Sequence, residues 1–365
     1  MIKSNGGVFG RNPTFQNVTV DGNLTVNGDL ALGDDITIND TLLVNGVATF
    51  KGGIVSTGTA AAPTSNTVMG SGAGAALQAG GTNNVLIGSS AGAAITTGDD
   101  VVAIGFNAAT LNTANDTVAI GSGALDANTT GVRNTAVGRN ALGANTTGAG
   151  NVAIGHNAGA TQSTASNNVL IGDAAGTALT TGAANHVVGT SALTATTTGN
   201  NNMAMGLLTL GSNISGSNNV GLGHTALFST TASSDNTAVG FSAGRYRGAG
   251  TDALASATTS VFIGHQSRAA GDSQSNQVVI AGTDGLGNGS NTTTIGNSST
   301  TGTYLAGTAT SILRVAGDTV CIVNDKTPAN AGAAGTEGDI CWDANYIYVC
   351  VAANTWKRVA IATWP

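Results

Sequence analysis

NTAVGRNALGANTTGAG (134–150), NVAIGHNAGATQSTASN (151–167) and NVLIGDAAGTALTTGAA (168–184) are consecutive runs of 17 residues, and their alignment decides the fold. Each opens on Asn, then Val or Thr, an apolar residue, an aliphatic and Gly. The motif glycines stand at 88, 105, 121, 138, 155, 172, 189, 206, 223 and 240, and from Gly121 to Gly240 seven successive intervals are 17 residues. Four places before them Asn recurs without a break at 134, 151, 168, 185, 202, 219 and 236. Three places after them Ala recurs at 91, 108, 124, 141, 158, 175, 192, 226 and 243. A second turn, Thr-Thr-Gly, ends at Gly98, Gly131, Gly148, Gly182 and Gly199.

A fixed interval held this long marks a stacked repeat rather than low complexity. Each unit predicts one coil of two short strands and two turns, with Gly relieving the backbone at the corner. The aliphatic pair before the glycine is expected to point inward, against the Ala of the facing strand. The Asn column predicts a ladder of side-chain amides bonded from coil to coil. Coils in register climb about 4.8 Å each, so ten to fourteen of them make a rod of roughly 50–65 Å.

Composition agrees with a thin, stacked molecule. The chain of 365 residues holds 55 glycines, is 8% charged and only 4% aromatic, while 41% of it is hydrophobic. A net charge of −7 with so much apolar content is unlike a disordered chain. One coil buries too few large side chains to offset an ordering entropy of about 1–2 kcal/mol per residue, so burial between chains in a symmetric oligomer is expected. Basic residues are scattered, with none between Lys51 and Arg133 or between Arg139 and Arg245, which excludes a nucleic-acid surface. No run of about 18 apolar residues predicts membrane insertion. The N-terminal MIKSNGGVFGRNPTF lacks the apolar core of a secretory signal, and none is expected.

Upstream, VTVDGN, LTVNGD, LALGDD, ITINDT, LLVNGV and ATFKGG follow each other from Val18 to Gly53, a second repeat of six-residue units with alternating apolar places. It reads as a slender β shaft. The chain thus divides into an N-terminal attachment segment (1–17), the shaft (18–53), a linker (54–65), the 17-residue coils (66–274), final coils and a neck (275–310) and a C-terminal β tip (311–365). In the tip, Ile340, Trp342, Tyr346, Tyr348 and Cys350 alternate about Asp343-Ala344-Asn345 as in a β-hairpin, and Val351–Ile361 supplies a further strand with Asn354 at its turn. Cys321, Cys341 and Cys350 match no metal spacing; they read as free thiols, with a Cys341–Cys350 bridge across the hairpin as the alternative.

The runs at 134–142, 151–159 and 236–244 resemble the head repeats of trimeric autotransporter adhesins, and they also resemble repeats of tailed-bacteriophage fibres. For the phage fibres the resemblance extends to GGVFGRNPTF (6–15) and to GDICWDANYIYVCVAANTWKRVAI (338–361). It implies an all-β homotrimeric fibre of parallel β-solenoid or β-roll coils. It also implies a virion location and assembly in the host cytoplasm, with attachment to tail or baseplate proteins through the N-terminus, where Phe9, Arg11 and Phe15 are the candidate contacts. Host surface polysaccharide or an outer-membrane receptor is the expected partner.

Between Gly240 and Gly264 the interval is 24, so seven extra residues enter around AGRYRGAGTDALA and predict a loop on one face. Arg245, Tyr246 and Arg247 of that loop are candidate receptor contacts, together with Trp342, Tyr346, Tyr348, Trp356, Lys357 and Arg358 of the tip, whose rings suit sugar stacking. The tip also reads as a cap that closes the coils.

No enzyme is expected. Glu337 is the single glutamate among 19 acidic residues, and the adjacent pairs Asp34-Asp35 and Asp99-Asp100 read as turn residues rather than as carboxylates flanking a cleft. No GxSxG, HExxH or P-loop occurs, and no cofactor is expected. His156, His224 and His265 each follow a motif glycine and read as exposed corners. His186 takes a slot usually held by Val and reads as a partly buried histidine, a metal or anion site on a threefold axis being the sharper alternative. The rival functions are a bacterial trimeric adhesin, which requires a C-terminal membrane barrel unlike WKRVAIATWP, and a polysaccharide-depolymerising spike.

Overall fold

The computed structural model describes residues 66–78, 80–300, 331–332, 340–342 and 345–360, the side chains of Cys341 and Trp342 excepted. The attachment segment, the six-residue shaft, the linker at 54–65, the neck beyond 300 and Cys321 lie outside the described residues.

The 17-residue period folds as a parallel β-solenoid. Its spine is a 14-stranded sheet in which each strand pairs with the strand of the next coil, from Thr67–Met69 through Thr237–Val239 and on to Val261–His265, Val278–Thr283 and Thr293–Ile295. Register advances by one repeat throughout the regular section: Val152 lies beside Val169, Ala153 beside Leu170 and Ile154 beside Ile171. At about 4.8 Å per strand, this sheet is roughly 60 Å long.

The Asn column lies inside and joins coil to coil. Asn151 donates through its backbone N–H (3.0 Å) and its side-chain Nδ2 (3.1 Å) to Oδ1 of Asn134. Its Nδ2 also reaches across its own coil to the carbonyl of Ala165 at 2.9 Å. The pattern repeats through Asn168, Asn185, Asn202, Asn219 and Asn236. From Asn134 to Asn219 both donors and both acceptor sites of each amide are therefore used, which offsets the cost of burying it. Val101 and Thr117 interrupt the column above Asn134, and Ser260 ends it by donating its N–H to Asn236.

This interior ladder overturns the expected direction of the aliphatic pair. Side chains alternate along a strand, so a residue two places after a buried Asn is also buried, and its neighbours face out. Ala103, Ala119, Ala136, Ala153 and Leu170, the middle residues of their strands, are fully buried. The aliphatics on either side are half-buried or exposed, Ile154 to 40% and Met205 to 48%. The recurrent Ala after the glycine is buried as expected, and Leu125, Leu142, Leu193, Leu210 and Leu227 beside it complete a thin core.

The facing side of each coil carries no strand in the regular section, so the expectation of two strands per coil is also corrected. Left-handed residues such as Asn140 (φ 55°) and Leu142 (φ 50°) break extended geometry there. Its backbone bonds the neighbouring coils all the same: Asn140 donates to the carbonyl of Ser122 at 3.0 Å, and Leu142 to that of Ala158 at 3.0 Å. The motif glycines are obligatory on two counts. Gly121 has φ +133°, and a Cβ there would lie 2.5 Å from the carbonyl oxygen of Gly138 on the next coil.

The tip is a three-stranded antiparallel sheet of Ile340–Trp342, Tyr346–Ala352 and Thr355–Ala360, with the turn at Asn354 in the left-handed region (φ 57°). Cys341 lies beside Tyr348, not Cys350, and Cys350 is a buried free thiol whose Sγ donates to the carbonyl of Ala352. The free-thiol reading of Cys350 holds and the bridge does not form, because the hairpin register offsets the two cysteines by two residues.

The ladder predicts the effect of breaking it. Asn185→Leu removes the acceptor for two donors of Asn202 and the donors facing Asn168 and Gly199. A loss of about 1–3 kcal/mol for each orphaned group is expected, read as a lowered urea midpoint.

Candidate functional site

The inserted residues fold as a β-hairpin, Tyr246–Arg247 paired antiparallel with Asp252–Ala253, on the side of the coil away from the spine. The loop expected there is thus a short, ordered protrusion. Arg245 stands at its root, five places after Gly240, as Phe228 stands five places after Gly223. Stacking of coils therefore brings the two together: the Arg245 Cζ is 5.0 Å from the centre of the Phe228 ring. Tyr246 covers it from another direction, with its ring centre at 4.9 Å. Gly211 occupies the same column one coil earlier and makes room for Phe228, since a Cβ there would meet Cε2 of the ring at 2.8 Å.

The three arginines about the hairpin differ in how their charge is met. Arg247 places Nε 3.0 Å from Asp272 and Nη1 3.8 Å from Asp252. Arg268 contacts Asp284 at 3.1 Å and donates to the carbonyl of Gly248. Among the described residues no carboxylate lies within ion-pair distance of Arg245, whose Nη1 donates to the hydroxyl of Thr225 at 3.3 Å. Its Nε is buried with no acceptor.

The tip holds a second cluster. Arg358 lies over the Tyr346 ring at 4.2 Å, and the Tyr346 and Tyr348 rings are 6.0 Å apart and tilted by 55°. Tyr348 is buried, Tyr346 and Trp356 are half-buried, and Lys357 and Arg358 are exposed. Trp342 takes the strand position opposite Ile347. The predicted contact residues therefore sort into these two groups; Phe9, Arg11 and Phe15 lie outside the described residues.

A third feature runs along the corner after the motif glycine. Arg139, His156 and Asp173 of successive coils form an exposed chain, with Nη2 to Nε2 at 2.7 Å and Nδ1 to Oδ1 at 2.9 Å. Farther along, the rings of His224, Phe241 and His265 stack 5.1 Å apart and within 10° of parallel. The exposed-corner reading of these three histidines holds. His186 is corrected: it is exposed, because its slot belongs to the outward side of the strand. Among the described residues no cluster of His, Cys, Asp or Glu is placed to hold a metal ion, and no helix is long and apolar enough to cross a membrane. Asp99 is a turn residue as read, its Oδ1 accepting from the N–H and hydroxyl of Thr82 at 2.6 and 2.8 Å.

Sequence reasoning missed Phe228, Thr225 and Phe241. The signal was present: Phe228 and Arg245, like His224 and Phe241, are 17 residues apart and so share a column. It also missed a second interior amide column, in which Nδ2 of Asn145 donates to Oδ1 of Asn128 at 2.9 Å.

The repeats and coils define a parallel β-solenoid protein, and short stretches of it are similar to phage proteins. The chain is 54% identical over 37 residues to "Depolymerase 1, capsule K30/K69-specific" of Klebsiella phage K5-2, a match covering 10% of this chain and 5% of that protein. It is 48% identical over 42 residues to "Depolymerase, capsule K30/K69-specific" of Klebsiella phage K64-1, covering 12% and 6% respectively. The matched stretch thus spans a small fraction of the curated relatives. No family model matches the chain, and no solved structure matches it.

The ion pairs of Arg247 are half-exposed, so Arg247→Ala is expected to cost no more than about 1 kcal/mol of stability. It should nevertheless loosen the hairpin, seen as several-fold faster chymotryptic cleavage after Tyr246.

Proposed function

We propose that this chain is part of a homotrimeric virion fibre that adheres to host surface polysaccharide and performs no chemistry on it. The observation that carries this reading is the outward row of aliphatic residues on the spine. Val118 and Ile120, Val152 and Ile154, Val169 and Ile171, and their counterparts face away from the coil interior along a sheet of 14 strands. A largely apolar face of this length, interrupted at Thr135, His186 and Thr237, is unlike the surface of a lone soluble chain. Two further copies of the same face, packed about a common axis parallel to the direction in which the coils stack, would cover it. Three copies rather than two accord with the resemblance of the repeats to trimeric heads, and with a face only two side chains wide on each coil.

The short similarity to two phage proteins supports a virion location, and the names of those proteins point to capsular polysaccharide as the surface recognised. Attachment through Phe9, Arg11 and Phe15 to tail or baseplate proteins completes the arrangement. The polar and aromatic residues of the insertion and tip, rather than the spine, are left to meet the host.

The names of the relatives favour a second reading, a spike that depolymerises the capsule. The placement of Asp99 in a turn, with Asp100 beside it in the left-handed region (φ 57°), supports the first. Purified protein is expected to bind encapsulated Klebsiella of the K30 or K69 type and to release no reducing sugar. Release of reducing ends would establish the second reading.

Assembly has its own test. The parent is expected to sediment as a trimer, and Ile154→Lys with Ile171→Lys to yield smaller species, since each introduced charge would be buried unpaired. A parent protein that sediments as a stable monomer would overturn the trimer.

A further inference from the structure

We infer that Arg245 forms a subsite for a sugar carboxylate, so that the polysaccharide recognised at the insertion is an acidic one. The inference rests on the adhesion reading and names the chemistry of what is bound. Arg245, Arg247 and Arg268 lie close together about the hairpin, and two of them are already neutralised by Asp272, Asp252 and Asp284. Arg245 has no such partner among the described residues: three arginines and three aspartates balance in number, yet its guanidinium is the one that no carboxylate contacts.

The setting of that charge selects its ligand. Phe228 and Tyr246 lie over the guanidinium at 5.0 and 4.9 Å, which holds it in place and leaves recognition to the N–H groups at its edge. One edge donor, on Nη1, is used by Thr225. The Thr225 hydroxyl is itself anchored, 2.8 Å from both the carbonyl of His224 and the hydroxyl of Ser242. Nε is a buried donor with no acceptor, a state that costs stability and persists most readily where a ligand relieves it. Nη2 makes no hydrogen bond among the described residues and Nη1 has a second N–H, so the two offer a ligand a fork that does not depend on Nε. A planar, charged edge with unspent donors matches a carboxylate, which accepts two parallel bonds from guanidinium. The turn of the same hairpin adds room for a chain of sugars: Gly248, Ala249 and Gly250 at its end carry no side chain larger than a methyl group, and Ala249 is exposed.

The test uses the full chain with tetragalacturonate, its methyl ester and inorganic phosphate at matched ionic strength, in calorimetric titrations. Tetragalacturonate is expected to bind, and its methyl ester, the same sugar without charge, at least about tenfold more weakly. Arg245→Met is expected to lose a similar factor while keeping the circular dichroism of the parent. Arg245→Lys should recover only part, since an ammonium keeps the charge without the fork. Arg139→Met, on the corner of a distant coil and outside both contact groups, should stay within about twofold of the parent. Equal binding of acid and ester, no binding of either, or no effect of Arg245→Met overturns the subsite. Displacement by phosphate as effective as that by the uronate overturns the choice of carboxylate. A separate assay, adsorption to encapsulated cells, isolates the underlying reading: if the parent fails to adsorb, adhesion is wrong, whatever the titrations show. If Arg245→Met adsorbs as well as the parent, adhesion stands and the subsite falls.

Discussion

The rest of the molecule depends on a column of asparagines held inside a stack of coils. A buried amide is tolerable only when all its hydrogen-bonding capacity is used, and a single coil does not supply the partners. Asn168 takes its acceptor from Asn151 in one neighbouring coil, while its Oδ1 receives two donors from Asn185 in the other. Each coil is thereby tied to both neighbours by bonds that exist only when the register is right. Slippage by a single residue would bury the aliphatics and expose the amides, so the ladder sets the register as well as linking the coils.

Once asparagine is inside, the period of the strand sends the Val and Ile residues out. The core left to the coil is narrow, filled by alanines and one row of leucines. That narrowness explains the glycines. Gly138 and its counterparts let one corner stack on the next with no Cβ between them, and Gly131 admits the side chains of Asn128 and Asn134. A core this thin relies on hydrogen bonds between coils and leaves an outer aliphatic face, whose burial in the proposed trimer would link folding of the chain to its association.

The proposed contact residues collect where the repeat rule is relaxed. Side chains that satisfy the stack are consumed by it, as Asp99 is by Thr82. The insertion after Gly244 is free of that demand. It nevertheless uses the stack for positioning, since Phe228 reaches Arg245 only because the two occupy one column on successive coils. The corner ladder of His224, Phe241 and His265 shows the same effect, placing rings in parallel at 5.1 Å.

Much of this was legible from the residues alone: the period, the glycine corners, the amide ladder, the tip hairpin and the place of the insertion all follow from local spacing. Spacing did not reveal which side of each strand is inside. Asn and the aliphatic pair alternate, so strand geometry admits only one of them inside, and sequence reasoning turned the aliphatic pair inward. Tertiary structure decided the matter, because the amides find acceptors in the coils above and below while aliphatics need none. It likewise decided that Arg247 is neutralised and Arg245 is not, since Asp272 comes beside Arg247 only through the return of the chain in the following coil. Periodicity is a property of one dimension and can be read along the chain; the pairing of charges between coils requires the fold.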